Sequence, residues 1–217
     1  MTKRNITSYE YDKNGKVLKQ INANGTVDGY EYDDMGQLIK QTVSDKAGDA
    51  LSYIEYEYDE AGNVTNKTSS YTQEIVSDVK SVDMTYDKAN RLVTYNGETV
   101  TYDAEGNMTY GPDAEGVMTH YTYNCRNMLI EADGVQYEYD PEGNRTAQID
   151  TATGKRTEYV VDDNSNTLTA TETQNGTTQV TTYTYGKGLI SQYNETNGYL
   201  TFHYNNIGST MMLTDEN

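Results

Sequence analysis

The chain repeats one short pattern ten times, and this repetition constrains its fold more than any other feature. The pattern is aromatic-x-aromatic-Asp-x-x-Gly-x-apolar, as in YEYDDMGQL at 30–38 and YEYDEAGNV at 56–64. Self-similarity of this kind is typical of repeat architectures, in which each unit packs against its neighbours. The second aromatic position, or its equivalent in the looser copies, falls at Tyr11, Tyr32, Tyr58, Tyr86, Tyr102, Tyr123, Tyr139, Val161, Tyr185 and Tyr204.

Each copy predicts a β-hairpin with one kind of turn. The aromatic-x-aromatic alternation has period two, which places both rings on one face of a strand. Asp or Asn opens a type I turn, because its side-chain oxygen accepts from backbone N–H groups within the turn. The residue three positions later needs a positive φ, which Gly adopts without strain and Asn tolerates next best. The residues predicted to have this structural role are Tyr11, Asp12, Gly15, Tyr32, Asp33, Gly36, Tyr58, Asp59, Gly62, Tyr86, Asp87, Asn90, Tyr102, Asp103, Gly106, Tyr123, Asn124, Asn127, Tyr139, Asp140 and Gly143.

The segments between the copies predict further strands and turns. Turn-forming clusters occur at 22–29, 43–50, 95–98, 132–134, 150–155 and 174–177. No segment has a sustained apolar stripe at helical spacing. The best helical candidate, 73–84, is rich in β-branched residues and equally suits a strand with a loop. We therefore predict an all-β array of serial antiparallel hairpins over 1–217, with no clear internal boundary.

Tyrosine rings are a major source of apolar surface in this chain, because Val, Ile, Leu and Phe are few. Val, Ile, Leu and Phe together number 33, and the formal net charge is −18, a combination typical of disordered chains. However, the sequence contains 22 Tyr and 31 Thr, and both types favour strands. Each Tyr ring buries roughly 150–250 Å² of surface. The composition is therefore compatible with a half-hydrated sheet built from stacked rings.

The composition also excludes several classes of partner. A net charge of −18 argues against nucleic acid and anionic membranes, since phosphate contacts need clusters of Lys and Arg. No apolar run is long enough for a membrane-spanning helix, and the N-terminal MTKRNITSYEY has no signal-peptide pattern. The single Cys125 excludes an internal disulfide and a cysteine-rich zinc site.

Catalysis, calcium binding and sugar binding are the alternatives to a structural role for these residues. Catalysis through Cys125 needs a base such as His120 within hydrogen-bond reach, whereas Cys125 falls at a variable turn position. The oxygen-rich segments 28–34 and 162–166 lack the spacing of known calcium loops, and we predict no cofactor or metal. Sugar stacking is an alternative to cross-strand ladders for tyrosine, and its candidates outside the motif are Tyr53, Tyr71, Tyr95, Tyr110, Tyr193 and Tyr199.

The ten copies resemble the YD repeats of bacterial Rhs proteins, toxin-complex C subunits and animal teneurins. The segment 183–217 resembles the stretch that leads into the Rhs-associated core, above all in YGKGLI at 185–190 and HYNNIGSTMMLTDEN at 203–217. The resemblance implies a spiralling β-sheet that forms a cocoon-like shell around a C-terminal toxic domain. A core autoproteolytic segment containing Asp-Pro-x-Gly is expected beyond Asn217. The similar letters at 140–143 lie in an ordinary copy, and turn chemistry explains them.

These observations predict a non-catalytic shell segment that encloses or presents a C-terminal toxin or effector. The expected partners are the rest of the parent shell and its cargo, and the parent is expected to be a secreted or cell-surface bacterial protein. The alternative is a cell-surface adhesion module that binds glycans or a protein partner. Free sheet edges also predict self-association, because an unpaired strand is a template for another chain.

Overall fold

The computed structural model describes residues 6–70 and 81–216, and every regular element in them is a β-strand. The predicted all-β, antiparallel fold class is confirmed. Within the described residues, no helix has the length and apolar character needed to cross a membrane. The strands are β1 (Ser8–Tyr11), β2 (Val17–Ile21), β3 (Val27–Tyr32), β4 (Leu38–Ser44), β5 (Ala50–Tyr58), β6 (Val64–Ser69), β7 (Met84–Tyr86), β8 (Leu92–Tyr95), β9 (Glu98–Thr99), β10 (Thr101–Tyr102), β11 (Met108–Pro112), β12 (Met118–Tyr123), β13 (Leu129–Ala132), β14 (Val135–Tyr139), β15 (Arg145–Asp150), β16 (Arg156–Val161), β17 (Thr167–Gln174), β18 (Thr177–Tyr185), β19 (Leu189–Asn194), β20 (Gly198–Tyr204) and β21 (Thr210–Thr214).

The chain divides into two compact units. Unit 1 combines Met1–Ile75 with Tyr183–Asn217, and unit 2 is Val76–Thr182. The sequence predicts no internal boundary because the repeat pattern and the composition continue across both limits. One limit falls within β18, and the other falls in 71–80, outside the described residues. Most of the helical candidate 73–84 and Tyr71 also lie outside the described residues.

Unit 1 contains a six-stranded sheet in which β1 to β6 pair antiparallel in chain order. It also contains β19, β20 and β21, which pair in the same consecutive way. Its buried residues include Val43, Ile54 and Tyr56 from the first group of strands and Thr201 and His203 from the second. The edge strand β6 is exposed along almost its whole length. Self-association through an edge of this kind stays a prediction.

Unit 2 contains the three-stranded sheet β7–β8–β9 and a serial antiparallel ladder that begins at β10. Among the described residues of unit 2, the buried side chains are small: Val100, Ala147, Thr119 and Thr157. Most of its tyrosines are only half-buried. Consecutive pairing is the expected result of joining hairpins in series with short turns, because each strand then lies next to its sequence neighbours.

Candidate functional site

One turn geometry recurs along the chain and defines the repeat. In the first copy, the Gly15 N–H donates to the Asp12 carbonyl at 3.2 Å, and the Asp12 N–H donates to the Lys16 carbonyl at 2.9 Å. The same two bonds occur in nine of the ten predicted copies, the exception being the copy of Tyr185, where the Gly186 N–H donates to the Gly188 carbonyl. Three more such turns open at Asn22, Asp45 and Asp113. The sequence pattern missed the turn at Asp113 because Pro112 precedes it in place of an aromatic residue.

The left-handed position of the turn has the backbone conformation that the motif requires. Gly36 has a φ of 82°, and the substituted copies have φ values of 61° at Asn90, 58° at Asn127 and 61° at Ser165. L-residues other than Asn and Asp rarely adopt this region. The fixed Gly or Asn at this offset therefore reflects a backbone constraint.

In several copies, three hydrogen-bond donors bond to the carboxylate of the Asp that opens the turn. At Asp59, Oδ1 accepts from the backbone N–H of Ala61 at 2.9 Å and of Asn63 at 2.8 Å. The Asn63 side chain donates to Oδ2 at 2.9 Å, and this bond, followed by the backbone bond of Asn63, lowers the pKa of Asp59. In four other turns, the side chain of the residue four positions after the Asp donates to Oδ2 in the same way. These donors are Arg91, Asn107, Asn144 and Asn166. In one copy that residue is Met128, whose side chain has no hydrogen-bond donor. There Asn124 opens the turn, and its Oδ1 accepts from the backbone N–H of Met128.

The same position, one residue after the Gly, also contacts the next turn along the array. Asn107 donates to Asn127 Oδ1 at 3.0 Å, and Ser165 donates to Asn144 Oδ1 at 2.6 Å. In unit 1, the Lys16 ammonium donates to the Gly36 carbonyl. Sequence reasoning did not assign this position a role, although the recurrence of Gly-Asn at 62–63, 106–107 and 143–144 was a usable signal.

A tyrosine hydroxyl joins each of four repeats to the repeat before it. In each case, the hydroxyl of the second Tyr of a copy donates to a backbone carbonyl in the preceding copy. This carbonyl belongs to the residue two positions after the Gly of that copy, or after the Asn that replaces the Gly. The four bonds are Tyr32 to Val17 at 3.1 Å, Tyr58 to Leu38 at 2.7 Å, Tyr102 to Leu92 at 2.9 Å and Tyr139 to Leu129 at 2.7 Å. We call this contact the repeat joint.

The repeat joint has a physical reason in the strand register. The carbonyl of Leu38 lies two residues before the first pair of the β4–β5 ladder, Lys40 with Glu55. Leu38 pairs with Tyr32 of β3 but has no ladder partner in β5, so its half-buried carbonyl can accept from a donor on that side. The hydroxyl of Tyr58 supplies that donor, which Phe could not do. The joint gives a reason for Tyr rather than Phe in these four copies.

The residues considered for catalysis and calcium have other contacts. Cys125 is exposed in its turn, and the His120 ring packs on Tyr110 with centroids 4.6 Å apart. The Asp162 carboxylate accepts from the backbone and side chain of Asn166. Among the described residues, no three His, Cys, Asp or Glu side chains converge as a group of metal ligands.

A buried polar cluster in unit 1 joins β3 to β20 and β21. Asp28 Oδ1 lies 2.8 Å from His203 Nδ1, and His203 Nε2 lies 2.9 Å from Thr214 Oγ1. Asn22 donates to the second carboxylate oxygen of Asp28 at 2.8 Å, and Asn24 donates to Thr214 Oγ1 at 2.9 Å. The partners are up to 190 residues apart in sequence, so no local pattern predicts them.

The order carboxylate, imidazole, hydroxyl is that of a hydrolase triad, but its surroundings differ from those of a nucleophile. His203 is 1% exposed and Asp28 is 2% exposed. An activated hydroxyl needs a site for the reacting carbonyl and donors for the oxyanion, whereas the Thr214 hydroxyl is already bonded to Asn24. The cluster satisfies its polar groups internally, which is what burial of such groups requires.

A cleft of about 520 Å³ in unit 1 has four tyrosines among the residues that line it. We call it the tyrosine cleft; its lining includes the rings of Tyr9, Tyr30, Tyr32 and Tyr204, together with Gln20 and Lys187. Burial, followed by the nearby Asp28 carboxylate, raises the pKa of Tyr30.

Of the tyrosines predicted from sequence for sugar contact, those that the structure describes do not line this cleft. The hydroxyl of Tyr110 donates to Glu98 at 3.1 Å, and the rings of Tyr193 and Tyr199 pack with centroids 4.5 Å apart. Tyr53 lines a second cleft, of about 480 Å³, in unit 1. The tyrosine cleft is instead lined by tyrosines of the repeat motif itself.

Residues 29–217 match the Teneurin YD-shell family. The tRNA3(Ser)-specific nuclease WapA of Bacillus spizizenii (strain DSM 15029) is 34% identical over 170 residues, which cover 75% of this chain and 7% of that protein. Among solved structures, the chain is similar to the Photorhabdus luminescens Tc holotoxin pore, with a TM-score of 0.47 and 16% identity over 97% of this chain. It is equally similar to TcdB2–TccC3 without its hypervariable C-terminal region, with a TM-score of 0.47 and 17% identity over the same share. The chain spans 15% of each of these two structures.

Proposed function

The chain belongs to the teneurin YD-shell family, and on this premise we propose that it is a non-catalytic wall segment of a larger shell. The shell encloses or presents a C-terminal toxin or effector carried by the same parent protein. The partners of the segment are the neighbouring shell wall and this cargo. The parent acts outside the cell that makes it, as a secreted or cell-surface bacterial protein.

The repeat joint is the observation that carries this proposal. A wall made of hairpins in series is strong only if each hairpin is bonded to the next, since one hairpin alone buries little surface. The joint and the turn contacts supply such bonds at regular positions, from Tyr32 and Lys16 in unit 1 to Tyr139 and Ser165 in unit 2. These recurring bonds give a structural role to the motif residues that make them.

Limited proteolysis of the full-length parent tests enclosure. In the intact protein, the cargo domain is expected to resist a protease that digests the same domain when it is expressed alone. In a parent lacking residues 29–217, the cargo domain is expected to lose this resistance to the protease. A matched parent with Cys125→Ser, which changes only an exposed turn residue, is expected to keep it. Equal digestion of the cargo in the intact and shortened proteins would contradict enclosure.

A second candidate function is adhesion through glycans, and the tyrosine cleft is the observation that favours it. Aromatic rings with a few polar groups are the usual lining of a small-molecule pocket, and pockets of about 300–1,000 Å³ are typical. Binding of the isolated chain to a glycan array tests this function. Saturable binding supports adhesion, and its absence across neutral and charged glycans contradicts it.

A further inference from the structure

The repeat departs furthest from its pattern where two consecutive copies in unit 2 meet. At the position two residues after the Gly, seven copies carry Val, Ile, Leu or Met, whereas the copy of Tyr139 carries Arg145. In the next copy, Val161 replaces the second aromatic residue, and Ser165 and Thr167 replace the Gly and the apolar residue. Because the regular residues at these positions form the hairpins and join them, exceptions concentrated at one place are candidates for a role that the wall does not require.

The substituted positions line one cleft of about 520 Å³ in unit 2, which we call the Arg145 cleft. Its lining includes Arg145, Val161, Ser165 and Thr167, together with Tyr139 and Tyr159. The cleft therefore lies between the β14–β15 hairpin and the β16–β17 hairpin.

The Arg145 cleft lacks a repeat joint because Val161 has no hydroxyl. Arg145 pairs with Tyr139 of β14 but has no ladder partner in β16. Its carbonyl is therefore the equivalent of the Leu38 carbonyl, which accepts from the Tyr58 hydroxyl in unit 1. Valine in place of tyrosine supplies neither a donor nor a ring, so an acceptor and an unfilled space remain together.

Arg145 also brings a cation to this cleft. Its Cζ lies 4.1 Å from the ring centroid of Tyr137 and 6.0 Å from that of Tyr139, and it has no ion pair in the part of the chain that the structure describes. A guanidinium that stacks on an aromatic face keeps its N–H groups in the plane, where they can bond to a carboxylate.

The neighbouring charged groups add to the need for an anion. A second guanidinium, that of Arg126, lies beside Gly143, with one nitrogen 3.8 Å from the position that a Cβ would take. Gly143 also lines the cleft. The turn carboxylates of Asp140 and Asp162 accept from the Asn side chains of their own turns. A carboxylate from outside the chain would therefore complement the cleft.

We propose that the Arg145 cleft binds a tyrosine side chain and an adjacent carboxylate that a partner polypeptide presents. The phenol ring fills the space next to Val161, its hydroxyl donates to the Arg145 carbonyl as in a repeat joint, and the carboxylate bonds to the Arg145 guanidinium. The partner is an acidic, tyrosine-bearing segment, and a Tyr-Asp pair is the smallest unit with this chemistry. The inference goes beyond both proposed functions, since neither the shell nor glycan adhesion requires this cleft.

Titration of the isotope-labelled chain with acetyl-Tyr-Asp-amide, followed by NMR, tests the site. The amide signals of Ser165 and Thr167 are expected to shift with saturation. Acetyl-Tyr-Asn-amide lacks the carboxylate and is expected to bind about tenfold more weakly, because hydrogen bonds between charged groups contribute most. Acetyl-Phe-Asp-amide lacks only the hydroxyl and is expected to bind about threefold more weakly.

Two variants restore the repeat pattern and test the same contacts from the side of the chain. Val161→Tyr is expected to fill the cleft, to abolish binding and, by adding a repeat joint, to raise the midpoint of thermal unfolding by about 2–4 °C. Arg145→Leu is expected to lower the affinity for acetyl-Tyr-Asp-amide to that for acetyl-Tyr-Asn-amide, and to leave the latter unchanged. Lys88→Leu is the matched control, because it removes one positive charge from an exposed turn of the same unit. This variant is expected to bind each peptide as the parent chain does.

Three results would overturn the inference. The first is that none of the three peptides binds, which leaves the shell proposal untouched. The second is equal affinity for all three peptides, since the cleft would then recognise neither the hydroxyl nor the carboxylate. The third is a Val161→Tyr variant that still binds acetyl-Tyr-Asp-amide or is no more stable than the parent chain, since a tyrosine ring would then not occupy this cleft.

Discussion

Unit 1 is stabilised by contacts between distant parts of the chain, whereas unit 2 relies on contacts between neighbouring repeats. In unit 1, the hydrogen bond of His203 to Asp28 spans 175 residues and that of Asn24 to Thr214 spans 190. In unit 2, the bond of Ser165 to Asn144 spans 21 residues. Seven polar residues are buried in unit 1, but in unit 2 only Thr119 and Thr157 are, among the residues that the structure describes.

The difference shows two ways of stabilising the same repeat. In unit 2, stability comes from many equivalent contacts, each weak, as in other repeat arrays. In unit 1, residues outside the motif add a specific polar cluster with few substitutes. Loss of one contact is therefore expected to matter more in unit 1 than in unit 2.

Breaking the buried cluster is the largest effect that we expect. Asp28→Leu leaves His203 Nδ1 and the Asn22 amide buried without their carboxylate partner, and each buried polar group left unsatisfied typically costs about 1–3 kcal/mol. The matched change in unit 2 is Glu138→Leu, which removes one of the two carboxylate partners of Arg156 from a half-exposed ion pair. Exposed pairs contribute about 0–1 kcal/mol. Urea unfolding measures both changes.

Two further measurements sharpen this first comparison. Amide hydrogen exchange is expected to show lost protection in unit 1 and unchanged protection in unit 2 after Asp28→Leu. The double variant Asp28→Leu/His203→Leu is expected to recover part of the loss, because the buried imidazole left without a partner is then also removed. Equal free-energy losses for Asp28→Leu and Glu138→Leu would show that the two units do not differ in this way.

Glycine substitution tests the turn in both units. Gly106→Val forces a β-branched residue to a φ of 89°, and an added Cβ meets nothing within 4 Å, so the cost is that of the backbone alone. We expect the free energy of unfolding to fall by roughly 1–2 kcal/mol. Gly36→Val is expected to cost more, because its Cβ also displaces the Lys16 ammonium. Thermal unfolding compares both variants with Asn90→Gly, which keeps the positive φ and should be close to neutral. Neutral Gly→Val variants would disprove the turn assignment.

Removing the hydroxyl of the repeat joint is expected to have a similar, modest effect in both units. Tyr58→Phe in unit 1 and Tyr139→Phe in unit 2 each delete one bond of 2.7 Å and keep the ring. The expected loss is about 0.5–1.5 kcal/mol for each. Tyr86→Phe is the control, since Tyr86 is 54% exposed and its hydroxyl contacts only a Met84 sulfur among the described contacts. A loss for Tyr86→Phe equal to the other two would remove the evidence for the joint.

The motif predicts the turns of both units because their causes are local. Asp59, Ala61 and Gly62 lie within four positions, and their spacing alone defines the hydrogen bonds and the positive φ. The order of the strands follows from the same local rule, since short turns make sequence neighbours into spatial neighbours. The antiparallel all-β fold was therefore predictable from the sequence.

The cluster and the cleft were not predictable for a physical reason. His203 occupies an ordinary alternate position between two aromatic residues, and Asp28 lies in a segment that reads equally well as a solvated turn. Their contact depends on which distant strands meet, and a repeated pattern contains no information about pairing across 175 residues. The position after the Gly was different, because its recurrent Asn was visible in the sequence.

The smallest effect that we expect is a difference between the two units in the stability that they lose in acid. Hydrogen bonds lower the pKa of Asp59 in unit 1, and of five turn carboxylates in unit 2: Asp87, Asp103, Asp140, Asp150 and Asp162. A carboxyl group whose pKa is lower in the folded state stabilises the fold above its unfolded pKa, near 4, and this contribution is lost as the pH falls through the folded pKa. Unit 2 should therefore lose more stability than unit 1 between about pH 4 and pH 2.

Hydrogen exchange or urea unfolding at a series of pH values measures this loss for each unit. Asp140→Asn removes one of the titrating groups and keeps the oxygen that accepts the Asn144 backbone N–H at 2.8 Å. The variant should therefore be slightly less stable than the parent chain at pH 7 and should approach it in stability near pH 2. Glu60→Gln is the control, because this exposed acid is next to the turn opener and outside its hydrogen bonds. If unit 1 loses as much stability as unit 2 in acid, or more, the turn carboxylates do not set the response to pH.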